Sequence, residues 1–268
     1  MSKDGMEFNT MMYEIIEPGI ALVMLNRPER LNAINLAMLD DFQKLFTMLS
    51  KDESVRVVIL TGQGKGFCSG ADLMDAADEK NAHYFADPQT YLTFVQERYS
   101  SLIKGFRDIP QPIIAAINGA AAGGGFCMAL ACDIRIISPE GYFVASFINI
   151  GLSGGELGSS YLLPRLIGLA RAADILYSGR KVNAHEAETS GLVSAVVPRE
   201  RLLETALAYA RTMLSKSPGG LRLTKRVLDQ NLETPSLNAA MELENRNQTL
   251  LVFSGDFAKM VKSFNVKN

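Results

Sequence analysis

Apolar and polar residues alternate from Tyr13 to Glu17 and again from Ile20 to Leu25, with Pro18-Gly19 between the two runs. A period of two broken by a Pro-Gly turn predicts a β-hairpin. The period then lengthens. Met38, Phe42, Leu45, Phe46 and Leu49 recur at helical spacing behind Asn35, an N-cap residue, which predicts a helix to about Leu49. Val57 to Thr61 reads as a buried strand leading into a loop, Gly66–Leu73. Tyr91 to Phe106 reads as a second amphipathic helix, ended by Pro110 and Pro112. A short β-branched strand, Ile113 to Ile117, then passes through a side-chain-poor turn into an apolar helix beginning near Phe126, and Ile134 to Ile137 forms the next strand. Strand, loop and helix recurring in this way predict an α/β chain. From about Arg199 the pattern is helical only: Leu202 to Leu214, Gly219 to Gln230, Leu237 to Val252 and a last helix near Phe257. The expected organisation is therefore an α/β core over 1–198 and a helical region over 199–268. Helices without a sheet of their own must pack on that core or on a neighbouring subunit.

Composition narrows the class. The chain of 268 residues is 47% hydrophobic and 21% charged, and it has no run of about 18 apolar residues, so no membrane span is expected. Met1 to Gly5 lacks the apolar core of a signal peptide, and the expected location is the cytoplasm. Cys68, Cys127 and Cys132 are odd in number and lie in apolar or glycine-rich surroundings, which points to buried thiols rather than a disulfide framework. His83 and His185 stand far apart, so no metal site is expected, and both read as surface residues. A net charge of −2 argues against nucleic acid as the main partner.

The candidate chemistry lies in two glycine-rich segments that each follow a strand. Gly123-Gly124-Gly125 opens the Phe126 helix, and Gly66 to Leu73 exposes backbone in the same manner. A ligand can touch backbone N–H groups directly in such turns, and a helix N-terminus adds partial positive charge. Two such loops can supply the pair of N–H donors that holds an oxyanion. The alternative is that both glycine runs only permit close packing.

Leu25-Asn26-Arg27-Pro28-Glu29-Arg30-Leu31-Asn32-Ala33-Ile34, Gly66 to Leu73, Asn118-Gly119 through Gly125 and Cys132-Asp133-Ile134-Arg135 together resemble the crotonase (enoyl-CoA hydratase/isomerase) superfamily. Leu163 to Gly168, Ser178-Gly179-Arg180 and Ser190 to Val193 follow in the family's order, so the resemblance spans about 12–257. It implies a crotonase-type spiral of ββα units, a C-terminal helical region that mediates trimers, often paired into hexamers, and a CoA thioester as ligand, with no cofactor beyond it. It further implies that the N–H groups of Ala71 and Gly124 bind the thioester oxygen. Arg30, Ala33, Ser69, Gly70, Asp72 and Leu73 would border the CoA.

The family does not fix the reaction. A typical hydratase carries two glutamates, and the matching positions here are Cys127 and Phe147. Activating water and managing the proton at the neighbouring carbon usually needs both groups. One carboxylate remains nearby: Glu156, nine residues before Arg165, a spacing shared by the acid/base carboxylate of several isomerases in the superfamily. The stretch Glu156 to Tyr161 resembles 3-enoyl-CoA to 2-enoyl-CoA isomerases. One carboxylate suffices for that reaction, because a proton leaves C2 and one returns at C4. Glu156 also reads as a first-turn helix residue favoured by the helix dipole.

Other residues have two readings each. Asp72 either fixes its loop or takes part in chemistry. Tyr99, Leu102, Ile103, Cys127 and Phe147 are expected to shape an apolar acyl pocket. Arg27, Arg30, Lys259, Lys262 and Lys267 either meet CoA phosphates or are solvated charges. Beside the isomerase reading stand a weak hydratase, an enzyme of other acyl-CoA chemistry, and a non-catalytic acyl-CoA carrier.

Overall fold

The hairpin forms where the alternation places it. In the computed structural model, which describes residues 7–265, β1 (Met11–Glu17) pairs antiparallel with β2 (Ile20–Leu25), Tyr13 facing Val23. Asn35 caps α1 (Leu36–Lys51), its side chain accepting the Met38 N–H at 2.9 Å. β3 (Val57–Gly62) runs parallel to β2. The loop after it leads to α2 (Leu73–Ala76) and α3 (Pro88–Tyr91). The predicted second helix is then interrupted. A π-turn, Leu92–Gln96, separates α3 from α4 (Glu97–Asp108).

Two turns of a ββα spiral follow, and each puts one strand in a large sheet, one in a small sheet, and then a helix. β4 (Ile113–Ile117), β5 (Ala120–Ala122) and α5 (Gly124–Ala131) make the first turn. β6 (Ile134–Ile137), β7 (Tyr142–Val144) and α6 (Ser159–Ile167) make the second. A preceding turn is sketched by β3 and the bridge of Cys68 to Ala121. α7 (Leu169–Ser178), β8 (Lys181–Asn183), α8 (Ala184–Thr189) and β9 (Ala195–Val196) complete the core. The large sheet has the order β1-β2-β3-β4-β6-β9, parallel from β2 onward, and the small sheet has the order β5-β7-β8. This spiral is the fold that the sequence predicts.

β4 is buried on both faces, which explains its unbroken apolar run. Ile113, Ala115 and Ile117 face the main core, and Ile114 and Ala116 face the opposite layer. α5 is buried along its whole length, so it is apolar all round and carries no amphipathic stripe. The tail is helical as predicted: α9 (Leu202–Leu214), α10 (Pro218–Asn231), α11 (Leu237–Val252) and α12 (Gly255–Asn265). α9 packs Leu202, Ala206 and Ala210 against the outer layer of the large sheet. α10 anchors through Lys225, whose ammonium donates to the carbonyls of Phe106 and Gln111 at 2.8 Å each and lies 3.1 Å from Asp133. α11 contributes no buried residue and leaves Leu237 and Leu250 exposed.

Candidate active site

Two asparagines pin the loop after β3. Asn118 donates to the carbonyls of Gly62 and Gly64 at 2.8 and 3.0 Å, and buried Asn32 donates to those of Gln63 and Gly66 at 3.0 and 2.9 Å. The chain then runs as a short strand. Cys68 N–H donates to Ala120 O and Ala122 N–H to Cys68 O, both at 2.9 Å. On the other side, Ile34 N–H donates to Gly70 O at 2.7 Å and Asp72 N–H to Ile34 O at 2.9 Å. The loop is thus held between β5 and the Asn32–Asn35 segment.

Gly70 sits at φ +98°, and a Cβ there would lie 2.9 Å from Ala122 O and 3.3 Å from the Gly124 nitrogen. Gly123 sits at φ +51°, where a Cβ would meet Ser146 Oγ at 2.9 Å. Only glycine serves at these two points. Gly70 thus touches Gly124 at the start of α5, and Ala71 is the next residue along that loop. Neither the Ala71 nor the Gly124 N–H donates to an acceptor among the described residues. The two glycine loops therefore meet, and they present backbone donors at a helix N-terminus.

The segments expected to border the CoA come together beside this point. Arg27 Nη2 lies 2.8 Å from Asp72 Oδ2, and Arg27 also donates to Ala33 O. Ser69 N–H donates to Leu31 O at 3.1 Å, and its hydroxyl to Arg30 O at 3.3 Å. Asp72, whose Oδ1 accepts the Met74 N–H at 3.2 Å, is buried and fixes its loop. Arg27 is engaged in that latch. Arg30, Ala71 and Leu73 are exposed along this wall, while Ala33 is buried behind it. Lys259 and Lys262 are exposed on α12, and Lys267 lies outside the described residues. His83 and His185 are exposed.

Glu156 stands in a tight loop just before α6. Its N–H donates to Ser159 Oγ at 3.0 Å, and that hydroxyl donates to Gly154 O at 3.0 Å. Leu157 adopts φ +46°, a left-handed conformation costly for leucine. Its Cδ1 lies 3.8 Å from the position of a Cβ on Gly124, so the Glu156 loop abuts the start of α5. Gln96 Nε2 donates to Glu156 Oε1. Cys127 Sγ donates to Glu156 O at 3.4 Å, and burial, with the Glu156 carboxylate next, pushes that thiol up. Tyr91, half-buried, is pushed up by burial and then by the Glu156 charge.

A cavity of about 610 Å³ opens on Glu156 and Leu157 and is lined by Gln96 at the end of the π-turn and by Ser100, Ile103, Lys104 and Arg107 along α4. Of the residues expected to shape an acyl pocket, Ile103 lines this cavity. Tyr99 and Leu102 lie on the neighbouring face of α4, where Tyr99 donates to Ile34 O at 2.8 Å and Leu102 joins the core. Cys127 is fully buried, and Phe147 packs beside Gly123. None of these four lines the cavity. Two more carboxylates reach it from the end of α10, and both are engaged: Asp229 by Arg107 at 2.9 Å and Glu233 by the Tyr161 hydroxyl at 3.4 Å. Among the described residues no cluster of His, Cys, Asp and Glu suits a metal ion, and no helix is long and apolar enough to cross a membrane.

Gln96 and Tyr91 were not legible as site residues. The available signal was spacing: Gln96, Ser100, Ile103 and Arg107 form one helical stripe that ends on a polar residue.

The sequence profile of the enoyl-CoA hydratase/isomerase family matches residues 15–267. A "probable enoyl-CoA hydratase" of Mycobacterium bovis is 46% identical, over 86% of this chain and 81% of that one. The crystal structure of a "probable enoyl-CoA hydratase/isomerase" from Mycobacterium abscessus superposes with a TM-score of 0.88 at 41% identity, covering 97% of each chain. That of a "monofunctional enoyl CoA isomerase" from M. smegmatis gives 0.74 at 44% identity, over 87% of this chain and 98% of that one. The paired glycine loops, the spiral that brings them together and these likenesses agree: the chain belongs to the enoyl-CoA hydratase/isomerase family.

Proposed function

We propose that this protein moves the double bond of a 3-enoyl-CoA to the 2-enoyl position, with Glu156 as its single acid/base. The observation that carries the reading is that one carboxylate, Glu156, lines the cavity in a loop whose next residue, Leu157, abuts Gly124. The two positions that hold glutamates in a typical hydratase are occupied by a buried thiol, Cys127, and a phenyl ring, Phe147. The other carboxylates of the cavity are tied to Arg107 and Tyr161. The likeness to a protein named as a monofunctional enoyl CoA isomerase supports it.

In this reading the thioester oxygen lies between the N–H groups of Ala71 and Gly124. Glu156 takes the proton from C2, and the electron pair spreads into a dienolate whose charge rests on that oxygen. Each donor lowers the barrier by roughly 3–4 kcal/mol. The same carboxylate then returns a proton to C4. The acyl chain runs along Leu157 and Ile103, and the CoA lies against Arg30 and Ser69–Leu73, with Ala33 backing that wall. Proton transfer within one thioester is redox-neutral and balances without a cofactor. A homotrimer or a dimer of trimers in the cytoplasm completes the proposal.

The test is turnover of 3-enoyl-CoA and 2-enoyl-CoA by the wild type. Isomerisation that exceeds hydration supports the reading; hydration of 2-enoyl-CoA alone, or tight binding of both without turnover, contradicts it.

A further inference from the structure

We infer that Gln96 is a positioning residue, binding one oxygen of Glu156 so that the other is held in the cavity for proton transfer. The inference rests on the isomerase reading above.

The hydrogen bonds around Glu156 divide into two sets. Ser159 Oγ and Cys127 Sγ hold only its main chain, at the N–H and the carbonyl. The side chain has three torsions of its own, and those contacts leave them free. Among the described residues the hydrogen bond to the carboxylate comes from Gln96 Nε2, at Oε1. Among the described residues Oε2 accepts no protein hydrogen bond, and Glu156 lines the cavity together with Gln96 and Leu157. A neutral amide suits this place. It orients the carboxylate without pairing its charge, whereas a cation would form a salt bridge.

Gln96 is delivered by the one irregular turn of its helix. The Glu97 N–H donates to Leu92 O, five residues back, and so closes a wide π-type turn that ends on Gln96. Such turns are rare and recur at functional sites. The widening has a geometric result. From Gln96 onward the cavity stripe keeps α-helical phase through Ser100, Ile103 and Arg107. Tyr91, the residue just before the π-turn, lies near enough for Glu156 to act on its phenol. Burial and then the Glu156 charge push the Tyr91 phenol up.

The step that Gln96 serves is balanced. The C2–H bond breaks as its proton passes to the free oxygen of Glu156, and the electron pair enters the dienolate. The O–H bond then breaks as the C4–H bond forms. A carboxylate held in one orientation can reach both carbons. A loose one misplaces the proton or loses it to water, and misplacement by about 1 Å costs roughly 10²-fold in rate.

The experiment compares the wild type with Gln96→Met, which keeps the length and removes the donor. Each is also combined with Glu156→Gln, and the substrate is 3-enoyl-CoA deuterated at C2, in ordinary water. Expected is a fall in kcat of roughly 10²-fold with KM within about twofold, a smaller share of label recovered at C4, and no further loss in the Glu156→Gln background. An unchanged kcat and label share overturns the inference. So does an equal loss in both backgrounds, which marks a packing effect. Should Gln96→Met fail to fold, Gln96→Ser at this half-exposed position is read in the same way. A wild type that isomerises nothing removes the isomerase reading and this one with it. A wild type that isomerises while Gln96→Met matches it removes this one alone.

Discussion

Arg27 Nη2 stands 2.8 Å from Asp72 Oδ2, with both side chains largely withdrawn from water, and this ion pair joins the two segments that flank the backbone donors. The Arg27 guanidinium also donates to Ala33 O, and the Asp72 N–H to Ile34 O, so the pair closes a latch between 26–35 and 68–73. Removing one partner of such a pair strands the other. Arg27→Ala is therefore expected to cost about 3–5 kcal/mol of stability, read from denaturant titration, and to raise KM for acyl-CoA more than it lowers kcat. A loss below about 1 kcal/mol would place the pair with ordinary surface ion pairs.

Gly70 bears on catalysis through shape alone. With φ at +98° and Ala122 O only 2.9 Å from a Cβ position, Gly70→Ala must shift the loop that carries the Ala71 N–H. Expected are about 1–3 kcal/mol of destabilisation and a fall in kcat of roughly 10²-fold or more, the scale of one lost oxyanion donor. A folded variant with unchanged kcat would show that Ala71 does not serve as a donor.

The hairpin, the Asn35-capped helix, β4 and the four tail helices were legible, because each shows a clear period and a chemical stop signal. Three features were not. β5 is three alanines, Ala120–Ala122, with no β-branched residue, and it is a strand because Cys68 and β7 pair with its two edges. The π-turn Leu92–Gln96 lies within a run whose apolar positions Val95, Leu102 and Phe106 fit an unbroken helix. Its extra width is a tertiary effect. Gln96 and Ser100 line the cavity beside Ile103, which was read with Tyr99 and Leu102 as an acyl-pocket residue; the two polar positions gave no such signal because they lie on the mixed face beside the apolar one that packs on the core. Glycine loops, by contrast, announce their contacts, since only backbone approach explains them.

Lys225 ties the tail to the core from a buried position. Lys225→Met would leave the Phe106 and Gln111 carbonyls without their donor and Asp133 with Arg107 as its remaining cation, and is expected to cost about 3–5 kcal/mol. Burial lowers the Lys225 pKa from its ordinary 10.5, with Asp133 opposing. The unfolded chain thus holds this proton more tightly than the folded one. The stability contributed by Lys225 is then smallest below the folded pKa and rises as pH climbs toward 10.5. Melting of the wild type relative to Lys225→Met, followed from neutral to alkaline pH, should show that gap widening; a gap that narrows would contradict the sign.

The three thiols are buried and un-ionised. Burial pushes Cys68 and Cys132 up to about 12 and raises Cys127 as well. Native protein at neutral pH is expected to resist iodoacetamide at all three, with labelling only after denaturation, read by mass spectrometry. Rapid native labelling of Cys127 would reopen a thiol role at the site.

The most direct measurement is turnover of 3-enoyl-CoA by Glu156→Gln beside the wild type, with binding of the same thioester measured in both. Expected is a fall in kcat of roughly 10²-fold or more, the scale of a lost general acid–base, with binding retained because the backbone donors and the CoA wall remain. A Glu156→Gln variant that isomerises as fast as the wild type would show that the proton is carried by another group.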